Sequence, residues 1–486
     1  MDNSFAKTFL EGTRQNMFKA VDASSLVVFR IGFGLIMLWE VWRYWNYGWI
    51  TKYYIEPDFQ FKYFGFEWIE PWPGDLMYAH YALVAVLALF ITIGLFYRLS
   101  THLFFIAFSY IFLLEQAHYL NHLYLVILVS FILCMVPANR YFAVDARLKP
   151  DKRSDTVPAW SIWLLRAQFE VVYIYAGIVK LNSDWLQLEP LSTWLASRSD
   201  MPIIGDFFLQ DWSVGVAAYG IIILHIIGAP LLLWRRTRIY VFLIYACFHI
   251  LNHFVFSIGI FPWLTLFATL IFFDPDWPKQ AWRKFRALFG RKTGPRRSTA
   301  GTRSAETHNW LPGPVAQNFI IGAVGLWFAY QVLMPLRHLL YPGNVSWTEE
   351  GHAYSWQMKL RAKRGEAEFI VRDPLTDRTW RVDPESYLTS RQARKMSTRP
   401  DMILQFAHYL ADHWKSAYNV ESAEVNVISK VSLNGRKAQT MVDPSVDLAR
   451  IDRSLKRADW ILPLTEPFQR SPERYRAFFR AQNQYR

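Results

Sequence analysis

The sequence predicts an α-helical polytopic membrane bundle of about nine spans with a C-terminal, mostly β extramembrane domain. Three observations predict it. Hydrophobic residues make up 52% and aromatics 17% of 486 residues, with 22 Trp and 37 Phe, which exceeds an ordinary soluble domain. Nine apolar segments recur up to residue 336, most of them approaching the roughly 20 residues that cross about 30 Å of hydrocarbon. Beyond residue 337 the pattern changes to alternating polar and apolar positions broken by turns.

The N-terminal segment 1–23 is polar and mixed in charge. It lacks the basic start, apolar core and small-residue cleavage site of a secretory signal, so the first span is expected to insert uncleaved. The apolar segments are 24–45, 77–97, 99–117, 120–137, 158–180, 212–234, 237–256, 258–273 and 316–336; the eighth contains Pro262. Basic residues mark alternate links. Arg140, Arg147, Lys149, Lys152 and Arg153 follow the fourth segment, and Arg235, Arg236 and Arg238 follow the sixth. Nine more lie in 274–313, whereas the other links are poor in Lys and Arg. This alternation puts the N-terminus inside and residues 337–486 outside. The main transmembrane bundle is expected over 24–273, a basic cytoplasmic linker over 274–315 and a last helix over 316–336.

Within the linker, GRKTGPRRSTAGTRSAET (290–307) reads as flexible, able to touch anionic lipid or simply to hold orientation. The net charge of +13 belongs to such links, and no nucleic-acid-binding motif accompanies it. Cys134 and Cys247 both fall inside spans, which argues against a disulfide framework. In the outer region, WQMKLRAKRGEAEFIV and VNVISKVSLNGRKAQTMV alternate, and Asn434-Gly435 is a hairpin signal. Ile403, Phe406, Ala407 and Leu410 share one face of a small helix. Asn344-Val345-Ser346 would be a glycosylation acceptor only in a eukaryotic lumen.

Ionisable residues inside spans are costly and mark function. Arg166, Glu170, Tyr173, Gly177 and Lys180 share one face of the fifth segment, with Lys180 at its outer end. Asn121 and His122 open the fourth at the same level. Tyr245, His249 and Asn252 run along the seventh towards its outer end, followed by His253 and Ser257. Taken singly, Lys180 reads as a snorkelling anchor, His122 or His249 as an interior histidine, and Arg166–Glu170 as a structural pair. Their convergence from three helices reads as a site. A lysine removed from water loses preference for its charged form and becomes a base, although the helix C-terminus favours the ammonium. Metal binding is the rival reading. His118 and His122 are four apart, as are His249 and His253, and Glu115 shares the first face. No helical H-E-x-x-H is present, and no metal is expected.

GLFYRLS (94–100), the NH before LYL (121–125), VPAW…LLRAQ (157–168), AGIVKLNSDWL (176–186), FHILN…FSIGIF (248–261), YSWQMKL (354–360) and RDPLTDR (372–378) carry a resemblance. The sequence resembles the vitamin K-dependent γ-glutamyl carboxylase family over roughly residues 20–465, its membrane part resembling the horizontally transferred transmembrane domain. The resemblance implies that Lys180 deprotonates a reduced vitamin K (phylloquinol or menaquinol) as co-substrate. With O2 this yields a strong base and the epoxide, and the base removes a γ-proton from a protein glutamate to which CO2 adds. It implies that His122 is catalytic with Asn121 beside it, and that His249 and Asn252 lie near the quinone. Tyr173 and Ser257 are further pocket candidates. The partners implied are membrane lipid and a glutamate-containing secreted or external protein bound by the outer domain.

Two departures stand out. Val179 precedes Lys180 where animal members have a second lysine, and the outer region has no cysteine for their linking disulfide. They imply a bacterial homologue, in the cytoplasmic membrane with the C-terminal domain outside; a eukaryotic protein would sit in the endoplasmic reticulum. Three other readings compete: a quinone epoxidase without glutamate carboxylation, a non-catalytic membrane protein holding secreted partners through its outer domain, and a transporter or metal-dependent oxidoreductase. The absence of a convincing internal repeat counts against a transporter.

Overall fold

The computed structural model describes residues 3–256, 258–288 and 311–468. The membrane part comprises α1 (Asn3–Phe18), α2 (Ser24–Asn46), α3 (Asp75–Ile93), α4 (Tyr97–Leu113), α5 (Asn121–Met135), α6 (Trp160–Ile178), α7 (Asp211–Leu231), α8 (Arg238–Phe256), α9 (Phe261–Phe272), α10 (Trp277–Leu288) and α11 (Pro314–Leu333). All nine apolar segments are helical. Among the described residues, α2, α3, α7, α8 and the stretch Pro314–Leu340 are long and apolar enough to cross a membrane, so five helices qualify where nine were expected. Helices α4, α5 and α9 are shorter. Helix α6 has the length, but Arg166, Gln168 and Glu170 lower its apolarity, and all three are buried within the bundle.

Local chemistry sets the boundaries. Gly94, at φ 69°, ends α3 in the left-handed conformation that glycine adopts without steric cost. The Asp145 carboxylate then accepts from the Phe96 and Tyr97 N–H groups at 2.8 and 2.9 Å, satisfying free donors where α4 begins. Helices α2 and α3 approach closely at Gly34, where a Cβ would lie 2.1 Å from Thr92 Oγ1 and 2.7 Å from the Ala88 carbonyl oxygen. The core between α2, α4, α5 and α6 is apolar, with Leu26, Phe33, Phe104, Leu125, Val129, Leu165 and Phe169 all buried. A short antiparallel pair, β1 (Ala20–Asp22) with β2 (Thr156–Pro158), ties one end of this bundle, where Lys279 pairs with Asp22 at 2.5 Å.

Part of the expected linker is ordered. Helix α10 exposes Trp282, Phe285 and Leu288 among basic residues, the pattern of a helix lying in a membrane interface. The stretch 290–307 lies outside the described residues. Cys134 is buried, Cys247 is exposed, and neither forms a disulfide.

The outer domain contains β3 (Lys363–Arg372), β4 (Thr379–Val382), α12 (Ser390–Met396), α13 (Pro400–Tyr418), β5 (Glu424–Leu433) and β6 (Gln439–Thr440). Its antiparallel sheet has the order β4-β3-β5-β6, with Phe369 opposite Val427. Alternation works as expected, burying Phe369 and Val371 on β3 and Val425, Val427, Val431 and Leu433 on β5. One face of a sheet needs a cover. Helix α13 supplies it with buried Ile403, Phe406, Ala407 and Leu410. The domain is therefore mixed α and β rather than mostly β. Asn434 and Gly435 turn at φ 50° and 81°, the two left-handed residues a tight hairpin requires. The loop 46–76 joins the two parts, since Phe61 is fully buried in the outer core and Phe59 lies against Phe406 at 6.1 Å.

Candidate active site

Lys180 follows the last turn of α6 and is buried. Its Nζ donates to the Ala176 carbonyl at 2.7 Å and, across the chain, to the Met358 carbonyl at 3.4 Å. The same nitrogen also sits 5.0 Å from the Trp185 ring centre. Among the described residues no carboxylate lies within ion-pair distance of it. Gly177, one turn before, lets α7 approach: a Cβ there would lie 2.6 Å from Ile226 Cγ1 and 3.0 Å from His225 Cβ. That stretch of α7, Leu224–Gly228, is a π-helical turn.

Lys180 opens on a cavity of about 670 Å³ of non-atom space, part of it open to solvent. Tyr173, His225, His249 and Asn252 share its wall with Phe248, Phe256, Phe261 and Trp194. Tyr173 stacks on Tyr245 at 4.7 Å, and its hydroxyl meets Thr269 Oγ1 at 2.7 Å. His249 Nδ1 lies 3.2 Å from Thr265 Oγ1, whose own hydrogen is engaged by the Phe261 carbonyl at 2.8 Å. The imidazole is then the donor at Nδ1, which leaves Nε2 as an acceptor. Nε2 is buried and has no partner among the described residues. His225 faces the Ile221 carbonyl through Nδ1 at 2.8 Å; a carbonyl only accepts, so Nδ1 carries the hydrogen. Sequence reading passed over His225, although an ionisable residue inside an apolar span was signal enough. An aromatic-walled slot with two amines, Lys180 and Lys359, and two imidazoles suits a flat aromatic diol or dione.

Asn121 and His122 line a second chamber of about 1700 Å³ of non-atom space, also partly open. The two chambers share Trp194, Phe256, Ile258, Phe261, Met358 and Lys359 as a common wall. Lys180 and His122 therefore face adjacent chambers rather than a single pocket. His122 lies against Phe261 at 5.9 Å. Asn121 Oδ1 accepts from the Tyr119 hydroxyl at 2.9 Å, and the Tyr119 oxygen accepts from the Tyr354 N–H at 2.7 Å. The second chamber is basic, with Arg43, Arg361, Arg391, Lys395 and Arg399 around it. Most of these come from residues beyond 350, which sequence reading had not connected with the site.

Two expectations are corrected. Arg166 and Glu170 do not pair. The Arg166 guanidinium donates to the Ile271 and Phe273 carbonyls at 2.9 and 2.8 Å, reaching the open carbonyl end of α9 instead. Both Glu170 oxygens are buried without a hydrogen-bond partner among the described residues. Glu115 does not face the histidines as a ligand. It accepts from the Phe61 and Ala117 N–H groups and from Gln392, at 3.3, 2.7 and 2.8 Å. His253 packs on Trp263 at 5.2 Å. Among the described residues no group of three or more His, Cys, Asp or Glu is placed to hold a metal ion. Ser257 lies outside the described residues.

The outer domain is anchored just beyond Lys180. Asp184 accepts from both terminal nitrogens of Arg436 at 2.7 Å and from Asn434 Nδ2 at 2.8 Å. Burial pushes its carboxyl up, but Arg436 and Asn434 outweigh that and hold it below the usual carboxylate range.

Two family models match the chain. The HTTM domain matches residues 18–277, and the model described as Vitamin K-dependent gamma-carboxylase, lumenal domain, matches residues 316–467. No solved structure matches it.

Proposed function

The chain belongs to the vitamin K-dependent gamma-carboxylase family, and from that premise we propose that it is a membrane enzyme coupling oxidation of a reduced naphthoquinone to carboxylation of glutamate. The observation that carries this reading is Lys180, a buried amine with no carboxylate partner among the described residues, on the wall of an aromatic slot. Lys180 takes a hydroxyl proton from the bound quinol. His249 accepts a hydrogen bond through Nε2 and orients the ring, with Tyr173, His225 and Asn252 shaping the slot. The quinol, as co-substrate with O2, supplies the strong base. An acceptor glutamate enters the second chamber, where Asn121 and His122 stand near the common wall and the basic side chains hold its carboxylate. Aromatic walls exclude water from that meeting point, which protects a base strong enough for a carbon-bound proton. The acceptor is an external protein, and the outer domain lies on the non-cytoplasmic side.

The test uses purified protein with phylloquinol or menaquinol, O2, labelled bicarbonate and a glutamate-containing peptide. Epoxide together with fixed label supports the carboxylase. Epoxide alone reduces the reading to a quinone epoxidase. Lys180→Ala should abolish quinol oxidation and leave the fold intact, because removing an amine without an ionic partner strands no opposite charge. A small added amine should restore part of the rate. Wild-type turnover in Lys180→Ala would end the base assignment.

A further inference from the structure

The second chamber carries more positive charge than one carboxylate balances. Arg43, Lys359, Arg361, Arg391, Lys395 and Arg399 line it. Two of these are already matched. Arg43 pairs with Glu40 at 2.5 Å, and Arg361 pairs with Glu349, which also takes Lys363 at 3.1 Å. Among the described residues, Lys359, Arg391, Lys395 and Arg399 have no carboxylate within 4.0 Å. Their contacts are neutral. Lys359 lies over the Phe256 ring at 4.5 Å and Trp194 at 4.9 Å, Arg391 lies over Tyr53 at 5.3 Å, and Arg399 donates to the Gln116 carbonyl at 3.3 Å. Arg391 and Lys395 stand one turn apart on α12, and Arg399 follows just before α13. Cations aligned at this spacing repel one another in a half-buried cavity until an anion joins them.

The reaction creates part of the charge that is missing. An acceptor glutamate brings one negative charge and CO2 brings none. The γ-carbon loses its proton to the base made from quinol and oxygen, and its electron pair then forms the bond to CO2. The side chain ends with two carboxylates on one carbon. We propose that Arg391, Lys395 and Arg399 form a geminal-dicarboxylate site, which favours the doubly charged product and the developing dianion over the starting monoanion. The inference rests on the second chamber being the acceptor side.

Calorimetry on the full-length protein without quinol tests it with two acids of the same skeleton. Ethylmalonate stands for the product side chain and butyrate for the substrate. Ethylmalonate should bind about tenfold more tightly than butyrate, and also more tightly than glutarate, whose charges are farther apart. The double variant R391Q/K395Q should bring ethylmalonate and butyrate to within about threefold. Equal binding of ethylmalonate and butyrate by the wild-type protein overturns the inference. So does glutarate binding as tightly as ethylmalonate, which would make the chamber a general anion sink. The wild-type comparison does not depend on how the variant folds. Selectivity in a protein that fixes no CO2 keeps the dicarboxylate site and removes the carboxylase reading, whereas turnover without selectivity does the reverse.

Discussion

Buried charges in this protein divide into those with partners and those without, and the division separates structure from chemistry. Glu349 is the clearest partnered case. Burial pushes its carboxyl up, but Arg361 and Lys363 outweigh that and hold it at about 2. A carboxylate depressed in the folded state contributes stability that is complete above its unfolded value, about 4.3, and is lost as pH falls through the folded value. Acid unfolding of the outer domain should therefore gain a contribution between about pH 4.3 and pH 2 that Glu349→Gln removes. Tryptophan fluorescence against pH would check it, and identical acid transitions in the two proteins would exclude it. Lys180 is the opposite case, since two carbonyls and an indole face, with no carboxylate among the described residues, surround it. Gly177 protects that arrangement by steric means. Gly177→Ala should push the π-helical turn of α7 away from α6, costing about 1–3 kcal/mol of stability and displacing His225. Thermal unfolding would read the first effect. Quinol turnover would read the second, falling more than the loss of folded protein explains.

At the scale of elements, the end of α6 is fastened to the hairpin turn after β5. Asp184 and Arg436 are both nearly buried, and their contact is bidentate. Removing one partner of such a pair leaves the other charge stranded, at a cost of about 3–5 kcal/mol. Asp184→Asn should lower the melting temperature and open the outer domain to protease, while the exchange D184R/R436D should recover part of the loss. A change of under about 1 kcal/mol in Asp184→Asn would mean that the pair does not clamp the domains. This joint also explains what was legible beforehand. Lys180, His249 and Tyr173 announced themselves because a polar group inside an apolar helix is expensive, and its periodicity gives its face. The hairpin was readable because Asn-Gly has few other uses. The Met358 carbonyl was not readable. It meets Lys180 across 178 residues, and backbone groups carry no sequence signature. Nor was the failure of Arg166 to pair with Glu170, because spacing four apart permits a contact without requiring it, and the open carbonyls of α9 competed successfully. The count of nine spans is not confirmed for a related reason: hydropathy registers apolarity, but α4, α5 and α9 are apolar helices shorter than the roughly 20 residues of a full crossing.

At the scale of the whole molecule, the two ends are chemically opposite. One end gathers β1, β2 and α10, with Lys279 on Asp22. The other carries the outer domain, anchored at Asp184 and at loop 46–76. The two chambers lie at the junction, so the outer domain supplies part of their walls through Met358 and Lys359. Five crossings and nine crossings are both odd. Either number leaves the N-terminus and the outer domain on opposite sides of the membrane, and the basic links are the basis for expecting the outer domain on the non-cytoplasmic side. On the proposed function, a protein acceptor would reach the basic chamber from the side of the outer domain, and a lipid-soluble quinol would arrive through the bilayer. Labelling of single cysteines in a C134S/C247S background tests this directly. A membrane-impermeant maleimide applied to sealed, right-side-out vesicles should modify Lys456→Cys, which is exposed on the outer domain. It should reach Arg147→Cys, exposed in the link before β2, only after the vesicles are opened. Labelling in the reverse order would put the chamber mouth in the cytoplasm and confine its acceptors to cytoplasmic proteins. Immediate labelling of both sites would mean an even number of crossings between them, and the pairing of a bilayer-borne quinol with an acceptor from the far side would fall.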